Sequence, residues 1–302
     1  MLQANVFHVG AAMKGRKFLP VPPLLVLAGA LCFSTTGFTQ ALVVPYGATP
    51  LSIGGMRMAI GALGMLLFCA VRGRLPKLAG WPLRELLAST LGILGFQVFF
   101  FLGTLHAGVT AGTLTALGAS PVAAAVIGFL FFRERPPLAW YPSTVLAAAG
   151  ILLMGWGSGC EARGLAYALA AGAAYGMYLA FSRRLAERHA PEEILCMVLA
   201  LCALCFVPVL FACPPSWVLS LPGMIAAAHL GLVTTTAAYL LMLCGMRGTG
   251  APVAATLGLA EPVCATLLAF FFLGEPLSLL SALGILCVMA SALVIFVFPA
   301  RS

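Results

Sequence analysis

Ser120–Glu134 reads SPVAAAVIGFLFFRE, and Glu261–Glu275 reads EPVCATLLAFFFLGE. The two stretches lie 141 residues apart and share Pro121/Pro262, Val122/Val263, Ala124/Ala265, Phe129/Phe270, Phe131/Phe272 and Glu134/Glu275. The same offset carries Pro50 onto Pro191 and Met56 onto Met197. A period this long is half a protein, not a solenoid unit. Each half consists of apolar segments joined by short turns. In membranes, that pattern predicts a transporter with its site between the halves.

Composition narrows the class. Of 302 residues, 62% are hydrophobic and 8% charged, aspartate is absent, and mean hydropathy is +1.09. Such a chain buries its surface against lipid and neighbouring helices. The net charge of +8 comes from Lys and Arg scattered among loops, which excludes a nucleic-acid stripe and fits membrane topology. Most of the ten cysteines fall in or beside apolar segments, where cysteine acts as a small hydrophobe. Cys202 and Cys205 form a CxxC without a second ligand pair, a weak metal signal. Pairing of Cys160 with Cys213 is left open, since both are predicted on one side of the membrane.

Apolar runs of spanning length occur at 22–44, 50–71, 82–104, 110–132, 138–157, 162–182, 192–212, 217–243, 251–273 and 278–299. The fold class that follows is an all-α integral membrane protein of ten transmembrane helices, arranged as two inverted five-helix repeats. Its expected organisation is a cytoplasmic tail at 1–20, one repeat at 21–157 and a second at 162–299. The apolar run after Lys14, Arg16 and Lys17 is long enough to be the first helix and not a cleaved leader. With the N-terminus inside, loop cations gather on one face (Arg72, Arg74, Lys77, Arg84, Arg133, Arg135, Arg183, Arg184, Arg188, Arg247), leaving Arg163 on the other. This asymmetry predicts both termini in the cytoplasm. Five helices per repeat is an odd number, so the second copy enters upside down.

Few polar residues sit within the spans. Glu261 is the only carboxylate placed deep in the membrane, where holding a charge costs several kcal/mol. It reads either as a proton carrier or ammonium partner, or as a protonated acid bonded to a carbonyl freed by Pro262. Its counterpart in the first repeat is Ser120, so symmetry does not require an acid. Pro121 and Pro262 each remove a backbone donor in mid-helix and predict kinks that serve as hinges, site walls or packing bends. Arg57, with apolar Val198 as its counterpart, is either an interface anchor or a carboxylate or gating contact. His229 is either a hydrogen-bonded packing residue or a proton relay. Gln97 needs polar partners and so points inward. Tyr175, Tyr178, Tyr239 and Phe38 form, with Gln97, a candidate stacking wall for a small organic solute. Gly172 and Gly176 make a GxxxG close-packing device. No phosphate-binding or hydrolase fingerprint is present, which argues against ATP-driven pumping by this chain alone.

GLAEPVCATLLAFFFLGEPLS, from Gly258 to Ser278, and its copy in the first repeat resemble the drug/metabolite transporter superfamily, specifically its ten-helix EamA-type exporters. Within these the resemblance extends to amino-acid exporters of the YddG kind. It covers essentially the whole chain and implies a bacterial inner-membrane exporter whose helices 1–4 and 6–9 surround a midplane cavity, with 5 and 10 peripheral. No cofactor is implied, and proton coupling remains open. The expected partners are a small-molecule substrate and the lipid bilayer, with a monomer favoured over a homodimer. Small neutral or zwitterionic metabolites, amino acids foremost, are the expected cargo. Lipophilic cations are the same-class alternative, and a membrane-embedded enzyme or scaffold the alternative of another class.

Overall fold

The computed structural model describes residues 21–77, 79–156, 161–273 and 278–298. The chain is helical, and no strand occurs among the described residues. The first half supplies α1 (Val21–Val43), α2 (Pro50–Val71), α3 (Leu83–Ala107), α4 (Val109–Phe132) and α5 (Trp140–Met154). The second supplies α6 (Ala162–Leu185), α7 (Pro191–Ala212), α8 (Leu221–Thr249), α9 (Ala251–Phe272) and α10 (Leu279–Val297). Nine of these are long and apolar enough to cross a membrane, and α5, at 15 residues, is shorter. Its rise of about 22 Å falls short of the roughly 30 Å hydrocarbon core.

α8 departs from its expected bounds at both ends. α8 begins at Leu221 because Ser216–Leu219 forms a 3-10 turn whose Trp217 indole donates to Ser52 Oγ at 3.0 Å. At its other end α8 runs on to Thr249, with Arg247 in the last turn, where the long side chain lets its charge leave the apolar zone.

The inverted symmetry is visible in residue pairs. Gly55 of α2 is so close to Leu210 of α7 that an added Cβ would lie 2.7 Å from a Leu210 methyl, and exchange of halves carries this pair onto Cys196 and Cys69, also in contact. Likewise the Ser143–Ser291 hydrogen bond of 2.8 Å maps onto the Gly150–Gly284 approach between α5 and α10. The heaviest packing is reciprocal as well: α6 lies on α3 and α4, and α1 lies on α8 and α9. α5 and α10 pack mainly on each other, with lesser contacts to α4 and α9.

A glycine joint opens the fourth helix of each repeat. Gly108 (φ 83°, ψ 156°) and Gly250 (φ 83°, ψ 159°) hold nearly the same conformation at opposite ends of the bundle. A side chain is excluded from this region for steric reasons. Gly250→Ala is therefore expected to cost about 1–3 kcal/mol, read as a lowered thermal midpoint in detergent. An unchanged midpoint would show the joint to be more pliant than its dihedrals suggest.

The cations gather at one end. Arg74 pairs with Glu192 at 3.2 Å, Trp81 stacks on His189 at 4.0 Å, and Arg84 and Arg184 lie over Phe131 and Phe132. These contacts join loops of both halves on a single Arg-rich face. At the opposite face His106 meets Glu161 at 3.4 Å. Lys14, Arg16, Lys17 and Arg301 lie outside the described residues, and so does Cys160, whose pairing with Cys213 is left open.

Candidate functional site

Arg57 sits seven residues into α2, a rise of about 10 Å from the helix start. It does not snorkel, and the interface-anchor reading is corrected by its burial: it is 7% exposed and turned inward under α8. Its Nε donates to Thr235 Oγ1 at 3.2 Å and its Nη2 to the Thr234 carbonyl at 3.4 Å. Arg57 finds this carbonyl because α8 widens into a π-helical segment over His229–Ala237. There Thr234 and Thr235 both donate to the Leu230 carbonyl at 2.8 Å, while Thr236 donates to Gly61 and Gly231 carbonyls at 3.1 Å. π-segments re-aim backbone groups and cluster at functional sites. Three consecutive threonines in mid-span were the sequence signal for this feature, and the partners of Arg57 were not foreseen from it.

Glu261 lies ten residues into α9, about 15 Å from its start and so near mid-depth. It is enclosed within the bundle but half-buried, with no hydrogen bond to its carboxyl group among the described residues. Its electrostatic partners are Arg57, Tyr239 and Tyr175. Arg57 and Glu261, from opposite halves, thus lie within electrostatic reach of each other, without a direct ion pair within 4.0 Å.

Aromatic rings cluster beside these two charged residues. Tyr175 stacks on Tyr178 at 5.9 Å, Tyr178 meets Tyr239 edge-on at 5.5 Å, and Phe96 and Phe33 extend the cluster at 5.1 and 4.8 Å. Tyr178 is buried with its hydroxyl unpartnered, as is the Gln97 amide nitrogen. Gln97 packs beside Gly54 of α2.

Two expected residues stand elsewhere. Phe38 is 37% exposed, on a stripe with Leu24, Leu31 and Leu42 at helical spacing, and Phe33 takes its place in the wall. His229 is held between Thr39 (3.0 Å) and Thr35 (3.4 Å) of α1, which ties α1 to α8, and no contact with Glu261 is seen. The packing reading of His229 fits this geometry.

The two prolines behave differently, which corrects the expectation of a matched pair of kinks. α4 runs unbroken through Pro121. α9 is interrupted: its first α-helical segment ends at Gly258, the Leu259 N–H bonds the Thr256 carbonyl at 3.2 Å, and helix resumes at Ala260.

Among the described residues no three His, Cys or Glu side chains stand close enough to hold a metal. Cys202 is buried and Cys205 exposed, so the CxxC does not converge. A separate cleft of about 100 Å³ opens on the Arg-rich face beside Glu134, Arg135 and Thr249. It contains none of the residues just described.

The model of the EamA-like transporter family matches residues 22–156 and again 162–297. The chain belongs to the EamA-like transporter family. This EamA-like transporter is 36% identical over 282 residues to "Uncharacterized transporter YwfM" of Bacillus subtilis, covering 92% of this chain and 94% of that one. An "Uncharacterized transporter" of Archaeoglobus fulgidus is 26% identical over 261 residues, covering 85% and 91%. A solved crystal structure superposes with a TM-score of 0.75 over 91% of this chain and 96% of its own, at 21% identity, which shows a shared fold.

Proposed function

We propose that this EamA-like transporter exports small zwitterions, α-amino acids foremost, from the bacterial cytoplasm by alternating access of its two repeats. The observation that carries this reading is that Arg57 and Glu261, opposite charges from opposite halves, lie within electrostatic reach without forming an ion pair. A zwitterion placed between them would give its carboxylate to the guanidinium and its ammonium to the carboxylate. Each buried charge then gains a partner, which in a low-dielectric site favours binding strongly. Tyr175 and Tyr239 would flank the side chain of the cargo. The Arg-rich face is read as cytoplasmic, which puts both termini inside the inner membrane, with the chain working as a monomer.

Lipophilic cations fit less well, because the buried guanidinium repels them. Proton coupling is assigned to Glu261, with no cofactor. The test is counterflow in proteoliposomes with a panel of amino acids and lipophilic cations at two pH values. Exchange of amino acids is expected; exchange of cations alone would overturn the reading. In Glu261→Gln, amino-acid exchange is expected to fall by about 10–100-fold with its pH dependence abolished, since a neutral amide replaces a charge-assisted partner. Wild-type pH dependence in this variant would remove Glu261 from the coupling step.

A further inference from the structure

Pro121 and Pro262 each withhold an N–H from the carbonyl four residues earlier, Leu117 in α4 and Gly258 in α9. In α4 the loss is repaired. The Ser120 hydroxyl donates to the Leu117 carbonyl at 2.8 Å, and the helix continues without interruption. In α9 the residue in the place of Ser120 is Glu261, and there the helix is broken at Leu259. The difference is chemical. A carboxylate has no proton to donate and repels a carbonyl oxygen, whereas a protonated carboxyl donates as a hydroxyl does. A helical side chain also leans back toward the preceding turn, which aims Glu261 at Gly258.

We propose that Glu261 is a proton-operated joint: protonated, it donates to the Gly258 carbonyl and closes α9 as Ser120 closes α4, and deprotonated it turns to Arg57 and leaves α9 open. The structure shows the open arrangement. The inference rests on the same carboxylate as the zwitterion reading and gives that site its coupling. An ammonium group and a proton compete for one carboxylate, and only the proton closes the helix. Exchange of one for the other therefore swings the Ala260–Leu268 half of α9, which packs on α1.

The groups facing Glu261 are consistent with such a role. Arg57 of α2 supplies the opposite charge, and Tyr239 of α8 and Tyr175 of α6 offer neutral hydroxyls. Cys264 lies one turn along α9 itself. Of the other helices packed on α9, α1 carries Cys32 and α10 Cys287 as titratable side chains within their spans, α5 carries only Tyr141 in its first turn, and α4 carries none.

The test is hydrogen–deuterium exchange of purified protein in nanodiscs, without substrate, at an acid and an alkaline pH, corrected for intrinsic exchange. Peptides covering 256–266 should exchange on the order of fivefold more slowly at the acid pH, as expected for one added hydrogen bond that closes a break. Glu261→Ser, which copies the first repeat, and Pro262→Ala, which restores the missing donor, should each show slow exchange at both pH values. Ser120→Ala should open α4 around Leu117 at both. A wild-type segment indifferent to pH, or a pH response that survives Glu261→Ser or Pro262→Ala, would overturn the joint. Because no substrate is present, failure of amino-acid counterflow would sink the zwitterion reading separately and leave this result standing.

Discussion

Arg57→Met is expected to abolish exchange of amino acids, by roughly 10²-fold or more, while leaving the protein folded. A charge-assisted hydrogen bond to a substrate carboxylate in a desolvated site is worth a few kcal/mol, and methionine keeps the volume of the side-chain stem. The fold tolerates the change because both hydroxyls near Arg57 keep an acceptor that does not depend on it. Thr235 and Thr234 each donate to the Leu230 carbonyl. Specificity gives the sharper readout. Amines that lack the carboxylate should lose less than about fivefold, because their one charge is held by Glu261. Equal losses for amino acids and amines would show that Arg57 supports the site and does not bind the cargo.

The second large effect is structural. Gly172 and Gly176 face α4, where an added Cβ would lie 2.5 Å from the Ala116 carbonyl oxygen and 2.6 Å from Ala123 Cβ and the Ala124 nitrogen. Much of what is met there is backbone or Ala Cβ, which cannot swing aside, so α6 and α4 must separate. Close backbone approach is the main source of helix association in lipid, where burial of apolar surface gives little. The double variant Gly172→Ala/Gly176→Ala should therefore lose about 2–5 kcal/mol. Circular dichroism melts in detergent should show an early transition, with helix content preserved below it. A double variant that melts with the wild type would mean that α6 is held by its α3 contacts alone.

Much of this architecture was legible because lipid imposes simple rules. Apolar runs set the number of helices, the offset repeat set their symmetry, and the Glu261 carboxylate stood out because so few charges enter the spans. Helix rotation was less legible. α1 is apolar nearly all round, so periodicity could not distinguish Phe33, which joins the tyrosines, from Phe38, which lies on an exposed stripe. The π-segment of α8 arises from how three threonines share carbonyls, a matter of hydrogen-bond geometry that hydropathy does not record. The unequal fate of the two prolines was within reach of the sequence. Ser120 before Pro121 and Glu261 before Pro262 differ in whether a proton is available to a stranded carbonyl.

The reciprocal packing bears on how the molecule is made. α6 lies against α3 and α4, and α1 against α8 and α9, so neither repeat supplies the partners for its own close-packed faces. As synthesis proceeds, the first five helices enter the bilayer with the surfaces meant for α6 still filled by lipid. They can settle only when the sixth helix arrives, and α1 must wait longer still, for the eighth and ninth. The protein is thus assembled late and all together, as two interlocked strangers and not as two finished modules.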